Sequence, residues 1–545
     1  MAKVKLKKNA PAPASSVSDI KKPHYLLITL ILISTLVIYW PSLKNELTNW
    51  DDQEYITYNK DLSDASIKKH FTDKPHVMGN YHPLSMLTLA WDYSSAYDEK
   101  TGTIDPVPFH RTNLILHVLN ALLVYLLVFR LTQNNIVAAI TSALFAFHPM
   151  HVESVAWASE RKDVLYSFFY LAALLSWTYF IRGSQKIIFY LLTLLLFILG
   201  LFSKAVMVSL PIALFLLDWF MKRKFDWKVI AEKIPLLAIS VYFGLQAIDA
   251  QREFEAIDGN SVYSLLDRIS FAFYGIMQYI VKFFAPLDLS CFYSFPTPGV
   301  DKPLGYLIAR VFVIALGIAA FLLRKKRNMV FGSVFFLITV GLVLQLLPVG
   351  GAVMADRYSY LPHIGIAFIL ATYIGDLLTK NGSSKALILA LPIALIGIMG
   401  YLAFERTKVW KDSITLWTDA ESKDKGSPKI YNNFGDAYTL AKQYEPGLKY
   451  LTESIRLKPD YPDAYYNRGL TYFYMNKYQE AIDDYTMAIK FKPTLNRAWH
   501  NRAGTLYTVG KYKEALSDAL KSKELGYPVD PAFITELQSK VGTNK

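Results

Sequence analysis

Two adjacent carboxylates, Asp51 and Asp52, follow the first apolar run of the chain at residues 25–40. A carboxylate beside a membrane surface is costly unless it is solvated, paired or bound to a metal. The pair fits a solvated loop start or a helix N-cap, because Asp caps helices well. It also fits a general base that removes a proton from an acceptor hydroxyl. The residue types alone leave both interpretations open.

Four cations lie in other segments that border apolar runs, and they could gather around an anionic head group: Arg161, Lys162, Lys204 and Arg357. Arginine binds phosphate through two parallel hydrogen bonds, and lysine supplies a point charge. The alternative is that these long side chains only extend from the membrane edge towards water.

A metal site is not predicted from the sequence, and metal dependence stays open. His148, His151 and Glu153 form the pattern His-x-x-His-x-Glu, which differs from the HExxH zinc helix and is interrupted by Pro149. The single cysteine, Cys291, excludes a Cys-rich zinc site and an internal disulfide framework. The chain also has no Walker loop, Rossmann glycine pattern or GxSxG motif, so no nucleotide use is predicted.

The composition indicates a membrane protein. Of 545 residues, 53% are hydrophobic and 19% are charged, whereas soluble chains carry about 25% charge. A membrane-spanning helix needs about 20 mostly apolar residues. Twelve apolar segments approach that length: 25–40, 112–129, 135–150, 164–181, 187–203, 205–220, 234–248, 269–284, 304–323, 329–349, 358–375 and 386–404.

The net charge of +13 has two common explanations, nucleic-acid binding and basic cytoplasmic loops. Basic clusters at 1–22, 222–228 and 324–327 favour the second, because positive residues stay in the cytoplasm. If 269–284 spanned the membrane, the cluster at 324–327 would lie outside. We therefore predict about eleven spans, an uncleaved first span, and 269–284 at the interface or re-entrant. The loops 42–111, 150–163, 249–303 and 350–357 are then extracytoplasmic.

The C-terminal part repeats with a 34-residue period. Asn433, Asn467 and Asn501 share one position, and Tyr444 and Tyr478 share another. This period, with small residues at matching positions, is typical of tetratricopeptide (TPR) repeats. We predict an all-α chain with four parts: a basic tail (1–22), a membrane domain (23–404), a linker helix (405–426) and a solenoid of three TPR repeats (427–545).

Several segments, together with this order of domains, carry a resemblance to a known family: YHPLSMLTLAWDY, FHPMHVESVAWASERKDVL, LFSKAVMVSLPIALFLLDWF and MADRYSYLPHIGI. They resemble the bacterial relatives of the transmembrane and TPR-repeat-containing O-mannosyltransferases, within the fold-C (GT-C) glycosyltransferases. The resemblance covers most of the chain. It implies a GT-C-like membrane domain in an inner (cytoplasmic) membrane, with the TPR repeats on the extracytoplasmic side.

The resemblance also implies roles for the residues. Asp51 or Asp52 would be the catalytic base, and the four cations would bind the phosphate of a polyprenyl-phosphate sugar donor. Five further residues would orient donor or acceptor: His82, His110, His148, His151 and Glu153. Related proteins often have Arg in place of His82, so a phosphate role is in doubt there. The acceptor would be Ser or Thr of an extracytoplasmic protein, and no nucleic-acid partner is implied.

Three alternatives stay open from the sequence. The chain could transfer a whole lipid-linked oligosaccharide, modify an envelope glycan, or serve as a non-enzymatic membrane scaffold. TPR arrays bind peptide segments on concave surfaces, but they also mediate dimerisation or partner recruitment.

Overall fold

Helices dominate the chain, as the all-α prediction requires. The computed structural model describes residues 22–72, 77–253, 262–347, 350–380 and 384–543. The predicted basic tail, apart from Lys22, lies outside the described residues.

The N-terminal part contains sixteen α-helices in its described residues: α1 (Tyr25–Tyr39), α2 (Ile67–Thr72), α3 (Pro83–Ala96), α4 (Val107–Thr132), α5 (Asn135–Ala146), α6 (Val152–Ala156), α7 (Arg161–Arg182), α8 (Lys186–Leu201), α9 (Leu210–Phe220), α10 (Trp227–Ala231), α11 (Ile234–Glu253), α12 (Leu265–Phe284), α13 (Leu304–Leu322), α14 (Arg327–Val340), α15 (His363–Lys380) and α16 (Lys385–Val409). Two small antiparallel hairpins accompany them: β1 (Tyr97–Asp98) with β2 (Thr103–Ile104), and β3 (Tyr293–Ser294) with β4 (Ala352–Met354).

Short helical turns connect many of these elements. A π-helix covers Gln53–Thr57. The 3₁₀ turns are Trp40–Lys44, Lys60–Ser63, Pro149–His151, Ala158–Glu160, Ala205–Ser209, Gly341–Val343 and Asp356–Ser359. Several of these turns carry the predicted site residues, so the candidate chemistry lies where helices begin and end.

The membrane domain contains several helices that could cross a bilayer. In the described residues, six are long and apolar enough: Tyr25–Lys44, Val107–Thr132, Ala158–Arg182, Trp227–Arg252, Leu304–Leu322 and Lys385–Val409. Asn135–Ala146 and Pro149–Ala156 form a pair bent by 51° that could be a seventh. Shorter apolar helices cover Lys186–Leu201, Ala205–Phe220, Arg327–Val343 and His363–Thr379. Helix α12, which contains the segment 269–284 that we predict not to span the membrane, belongs to neither group. The count of eleven spans stays a prediction.

Buried polar side chains connect the central helices. Asn120 of α4 donates to the backbone oxygen of Val164 at 2.9 Å and to the hydroxyl of Tyr360 at 3.1 Å. His117, one turn earlier, lies 2.7 Å from the same hydroxyl. Hydrogen bonds between membrane helices contribute about 1 kcal/mol each and define which faces meet. They hold the 356–360 segment against α4 and α7.

The C-terminal part is a stack of helix pairs. Helix α17 (Ser413–Lys423) leads into three pairs and a final helix: α18 (Pro428–Leu440) with α19 (Tyr444–Leu457), α20 (Pro462–Tyr474) with α21 (Tyr478–Phe491), α22 (Asn496–Thr508) with α23 (Tyr512–Glu524), and α24 (Pro531–Thr543). Each pair repeats 34 residues after the previous one, as the sequence period predicts. Helix α16 continues five residues past the predicted end of the membrane domain, to Val409.

Candidate active site

The loop that carries the two aspartates is held between the first and last helices of the membrane domain. The Asn45 amide donates to the backbone oxygen of Thr407 at 3.2 Å, and the Glu46 N–H donates to that of Lys411 at 2.8 Å. The chain then turns through Asp51 and Asp52 into the π-helix. These bonds place the pair at one end of the helix bundle.

Asp52 is enclosed and fully engaged in hydrogen bonds. One carboxylate oxygen accepts from the backbone N–H and hydroxyl of Thr48, at 2.8 and 3.0 Å, and the other accepts from the N–H of Ser159 at 2.9 Å. The residue is 1% exposed, and burial raises the pKa of its carboxyl to about 6 despite these bonds. Asp52 therefore ties its loop to the start of α7 and has little capacity left for a substrate.

Asp51 has a different environment. Its side chain is 17% exposed, and its contact among the described residues is with Lys162, whose Nζ lies 3.9 Å from one carboxylate oxygen. Burial raises the pKa of the Asp51 carboxyl, while Lys162 acts in the opposite direction. A partly exposed carboxylate with a raised pKa and one distant cation is suited to accept a proton.

Three of the four predicted cations lie beside acids in a charged cluster. Lys162 is 3.2 Å from Glu160 and lies over the Tyr55 ring at 4.4 Å. Arg357 contacts Glu153 at 2.5 Å and Glu160 at 3.3 Å. Glu160 therefore connects Lys162 and Arg357. Lys204 pairs with Asp163, one residue after Lys162.

Arg161 is directed into the protein instead. Its guanidinium donates to Asn113 at 2.5 Å, to Asp92 at 2.5 Å and to the backbone oxygen of Phe109 at 3.0 Å. The side chain is 0% exposed. Neighbouring residues on a helix point about 100° apart, so Arg161 and Lys162 diverge at the start of α7. In the described contacts Arg161 connects α3, α4 and α7 and does not reach the cluster around Asp51.

The predicted histidines occupy separate places. His82 stacks on Tyr55, with ring centroids 5.4 Å apart, and Lys162 contacts the same Tyr55 ring. His110 is buried in the first turn of α4. His148 and His151 are also buried, and one ring nitrogen of each is within hydrogen-bond distance of a backbone oxygen. In the described contacts the last three do not touch Asp51.

The linker helix and the first TPR repeat contribute residues to this region that no sequence motif singles out. The Trp50 ring stacks on Trp417 of α17, with centroids 4.7 Å apart and planes at 12°. Lys429 of α18 lies 5.6 Å from the Trp50 ring centroid, and Asp51 is among the charges acting on it. Asn49 donates to Asp436 at 2.9 Å. These partners lie nearly 400 residues apart in the chain, so no local pattern could have predicted them.

Comparison with known proteins agrees with this architecture. Residues 27–255 match the family described as dolichyl-phosphate-mannose-protein mannosyltransferase (PMT). Residues 428–461 and 462–495 each match a tetratricopeptide repeat. Residues 27–255 therefore resemble a PMT-type domain, and residues 428–495 resemble TPR repeats.

The chain is also similar to curated protein O-mannosyl-transferases. It is 26% identical to the human protein O-mannosyl-transferase TMTC3 over 79% of this chain and 51% of the relative. It is 24% identical to Tmtc3 of Drosophila melanogaster over 79% of this chain and 55% of the relative. The chain thus spans about half the length of the curated relatives it matches.

The PMT match includes Asp51, Lys162 and Lys204 but ends before Arg357. The first TPR match includes Lys429. The cluster around Asp51 is therefore built from the PMT-type segment, a later membrane-domain loop and the first TPR repeat. It is a composite site at the junction of the domains.

Proposed function

We propose that this chain is a membrane glycosyltransferase that moves a sugar from a polyprenyl-phosphate donor to Ser or Thr of an extracytoplasmic protein. The observation that carries the proposal is the environment of Asp51, a partly exposed carboxylate beside Lys162 and the Glu160–Arg357 pair. Protein O-mannosyl transfer, the activity for which the relatives are named, needs a base and a cationic site for a phosphate leaving group.

Asp51 takes the proton of the acceptor hydroxyl as that oxygen attacks the anomeric carbon of the donor. The new carbon–oxygen bond forms while the bond from that carbon to the phosphate oxygen breaks, and the polyprenyl phosphate leaves with the electron pair. Lys162 and Arg357 stabilise the charge that develops on the phosphate, and Lys204 adds to the field nearby. Charges already in position contribute strongly, because they need no reorganisation during the reaction.

A cavity between the Asp51 loop and the TPR part suits a polypeptide acceptor. It has a volume of about 560 Å³, and its lining includes Asn49 and Gln53 from the loop, Ser413 from α17 and Ala437 from α18. The lining mixes polar residues with apolar ones such as Leu47, Ile414 and Leu440, so it offers a peptide both hydrogen bonds and apolar contact. Asn49 and Gln53 flank Asp51 in the chain, but Asp51 itself is not part of the lining. This position favours an acceptor role for the TPR repeats over a remote scaffold.

The contacts at the two ends of the helix bundle support one orientation of the chain in the membrane. The Asp51 loop, the Glu153–Lys162 segment, Arg357 and the TPR part all meet at one end of the bundle. At the other end Arg327 donates to the backbone oxygen of Phe220 at 3.0 Å, which joins the two basic loops. Because basic loops stay in the cytoplasm, we assign the site and the TPR repeats to the extracytoplasmic side of a bacterial inner membrane.

The test is transfer by the purified full chain from polyprenyl-phosphate mannose to a library of synthetic Ser/Thr-rich peptides, read by peptide mass. We expect Asp51→Asn to lower the rate by about 10²–10⁴-fold, the usual contribution of a general base. Glu54→Gln is the matched control, because Glu54 is exposed in the same loop, and it should stay within about twofold of wild type.

The other possible results of these experiments each contradict part of the proposal or favour an alternative function. Full activity of Asp51→Asn would remove the base assignment. A wild-type chain that transfers only a lipid-linked oligosaccharide would support the oligosaccharyltransferase alternative. A chain that binds peptides with no transfer from any polyprenyl-phosphate donor would support the scaffold. A reporter fused after Lys545 that is active in the cytoplasm would contradict the orientation.

A further inference from the structure

Three histidines from separate segments meet in the core of the membrane domain. His148 follows α5, His151 ends the next 3₁₀ turn, and His363 is the first residue of α15. All three are 0% exposed. One ring nitrogen of each lies within 4.8 Å of the corresponding nitrogens of the other two. Because more than 200 residues separate His151 from His363, the sequence pattern could not reveal this group.

Backbone carbonyls determine the hydrogen positions on these rings. Each ring has one nitrogen within hydrogen-bond distance of a backbone oxygen: His148 Nε2 with Phe283 at 3.2 Å, His151 Nδ1 with Phe145 at 2.7 Å, and His363 Nε2 with Tyr279 at 3.0 Å. A carbonyl oxygen can only accept, so each of these nitrogens carries the hydrogen. The remaining nitrogen of each neutral ring is then a lone-pair acceptor.

These lone pairs lack adequate donors. Among the described residues, His151 Nε2 and His363 Nδ1 are buried and have no partner with hydrogen-bond geometry, and the Ser359 carbonyl, which also acts on His151, cannot donate. His148 Nδ1 accepts from the Met150 N–H at 3.2 Å. Buried unsatisfied polar atoms each cost about 1–3 kcal/mol. Phe145 and Phe283 pack against the rings, so an extra proton would place an unpaired charge in apolar surroundings.

We propose that His148, His151 and His363 bind a divalent transition-metal ion of the zinc class. A Lewis acid satisfies all three lone pairs at once, and His148 exchanges its weak contact with the Met150 N–H for the metal. Neutral imidazole is a preferred ligand of zinc and its neighbours, whereas magnesium and calcium require oxygen ligands. Ligating histidines usually donate their other ring hydrogen to a carbonyl or carboxylate, and all three rings here have such a partner.

The site connects the two segments that build the charged cluster. His151 lies two residues before Glu153, and His363 lies six residues after Arg357. Glu153 and Arg357 form an ion pair at 2.5 Å. The carbonyls of Tyr279 and Phe283 bring α12 into the same assembly. The metal therefore holds the segment 148–153 against the segment 357–363 and so positions Arg357. Glu153 is not one of its ligands.

The test is the metal content of the full chain purified in detergent, incubated with excess Zn²⁺ and passed through a desalting column. We expect about one zinc per chain for wild type, and at least tenfold less for His151→Gln and His363→Gln. Glu153→Gln and His117→Gln are controls: Glu153 completes the sequence pattern, and His117 is a buried neighbour with both ring nitrogens engaged. Both should retain the zinc.

Cobalt provides a second measurement that does not depend on the variants folding. Co²⁺ bound by three imidazoles at a low-coordinate site gives strong visible absorption, and Zn²⁺ should displace it. Wild-type chain with less than 0.1 zinc per chain and no cobalt absorption would overturn the proposal. Loss of zinc in Glu153→Gln equal to that in His363→Gln would overturn the ligand assignment.

Discussion

The charged cluster beside Asp51 and the ion pairs of the TPR part use similar residues in different ways. In the TPR part, Arg468 binds Asp484 with two hydrogen bonds at 2.7 and 2.8 Å, and Arg502 binds Asp518 in the same way at 2.6 and 2.9 Å. Each guanidinium is matched to one carboxylate, and the arrangement repeats 34 residues later. Such closed pairs connect two helices of a repeat.

In the cluster, by contrast, partners are shared. Glu160 lies near both Lys162 and Arg357, and Lys162 also faces Asp51. Lys162 and Arg357 each lie between two acids, so neither cation is committed to a single carboxylate. The comparison indicates that closed pairs serve structure and that shared charges are the ones able to meet a substrate.

The most direct test of this comparison removes one arginine from each region. Arg357→Gln should lower sugar transfer by about 10²–10³-fold, the usual cost of losing one group that stabilises developing charge. Arg502→Gln should change transfer by less than about threefold, because Arg502 pairs with Asp518 between α22 and α23 and, in the described contacts, does not reach the cluster around Asp51. The measurement is the initial rate of sugar transfer in the peptide assay. Equal losses for the two variants would contradict the division into structural pairs and substrate-facing charges.

A second prediction contrasts Asp52, which has no cation partner among the described residues, with the arginine-paired aspartates of the TPR part. Burial raises the pKa of Asp52 to about 6 from an ordinary value of 3.8, so folding favours its protonated form. Its contribution to stability is therefore complete below about pH 4 and is lost as the pH rises through about 6. Relative to Asp52→Asn, the wild type should lose up to about 3 kcal/mol between pH 4 and pH 7.

The measurement is the unfolding temperature of both chains in detergent across that range. Asp518→Asn is the matched comparison, because Asp518 forms an ion pair with Arg502. A wild type that instead gains stability over Asp52→Asn as the pH rises would show that hydrogen bonds outweigh burial at Asp52.

The smallest effect concerns the close packing of the TPR helices. A methyl group on Gly435 would lie 2.5 Å from Leu451 and 3.0 Å from the backbone oxygen of Gly447, whereas one on Gly504 would meet nothing within 4 Å. Gly435→Ala should destabilise the α18–α19 pair by about 1–3 kcal/mol. Gly504→Ala should stabilise α22 by up to about 1 kcal/mol, because Ala favours helix.

Hydrogen exchange of the backbone amides in the full chain gives both values locally. Faster exchange in α18 and α19 of the first variant, with slower exchange in α22 of the second, is the expected result. No change on Gly435→Ala would mean that the first pair can separate at little cost.

Periodic and compositional features were predictable because they depend on near neighbours. A 34-residue repeat places small residues at each crossing of a helix pair, so the TPR helices follow from the sequence. Apolar runs of about 20 residues likewise predict membrane helices. The segment 269–284 carries Lys282 and lies in a 20-residue helix that begins at the Ser264 cap, and its place at the membrane interface stays a prediction.

The site itself was predictable only as a set of residue types. The sequence singles out Asp51 with Asp52 and Arg161 with Lys162, but it does not separate the members of either pair. Their separation depends on which way each side chain points when its helix or loop packs. The sequence assigns no role to His363, although it lies in the segment MADRYSYLPHIGI, and none to Lys429.

The sequence by itself determined the membrane domain, the TPR repeats, and the presence of acids and cations at the ends of apolar helices. These follow from hydrophobicity and period, which act over a few turns of chain. Only the tertiary structure decided that Asp52 is enclosed while Asp51 stays accessible, that Arg357 shares Glu160 with Lys162, and that three histidines converge. Burial and charge pairing depend on distance in space, and the chain brings together residues that lie hundreds of positions apart.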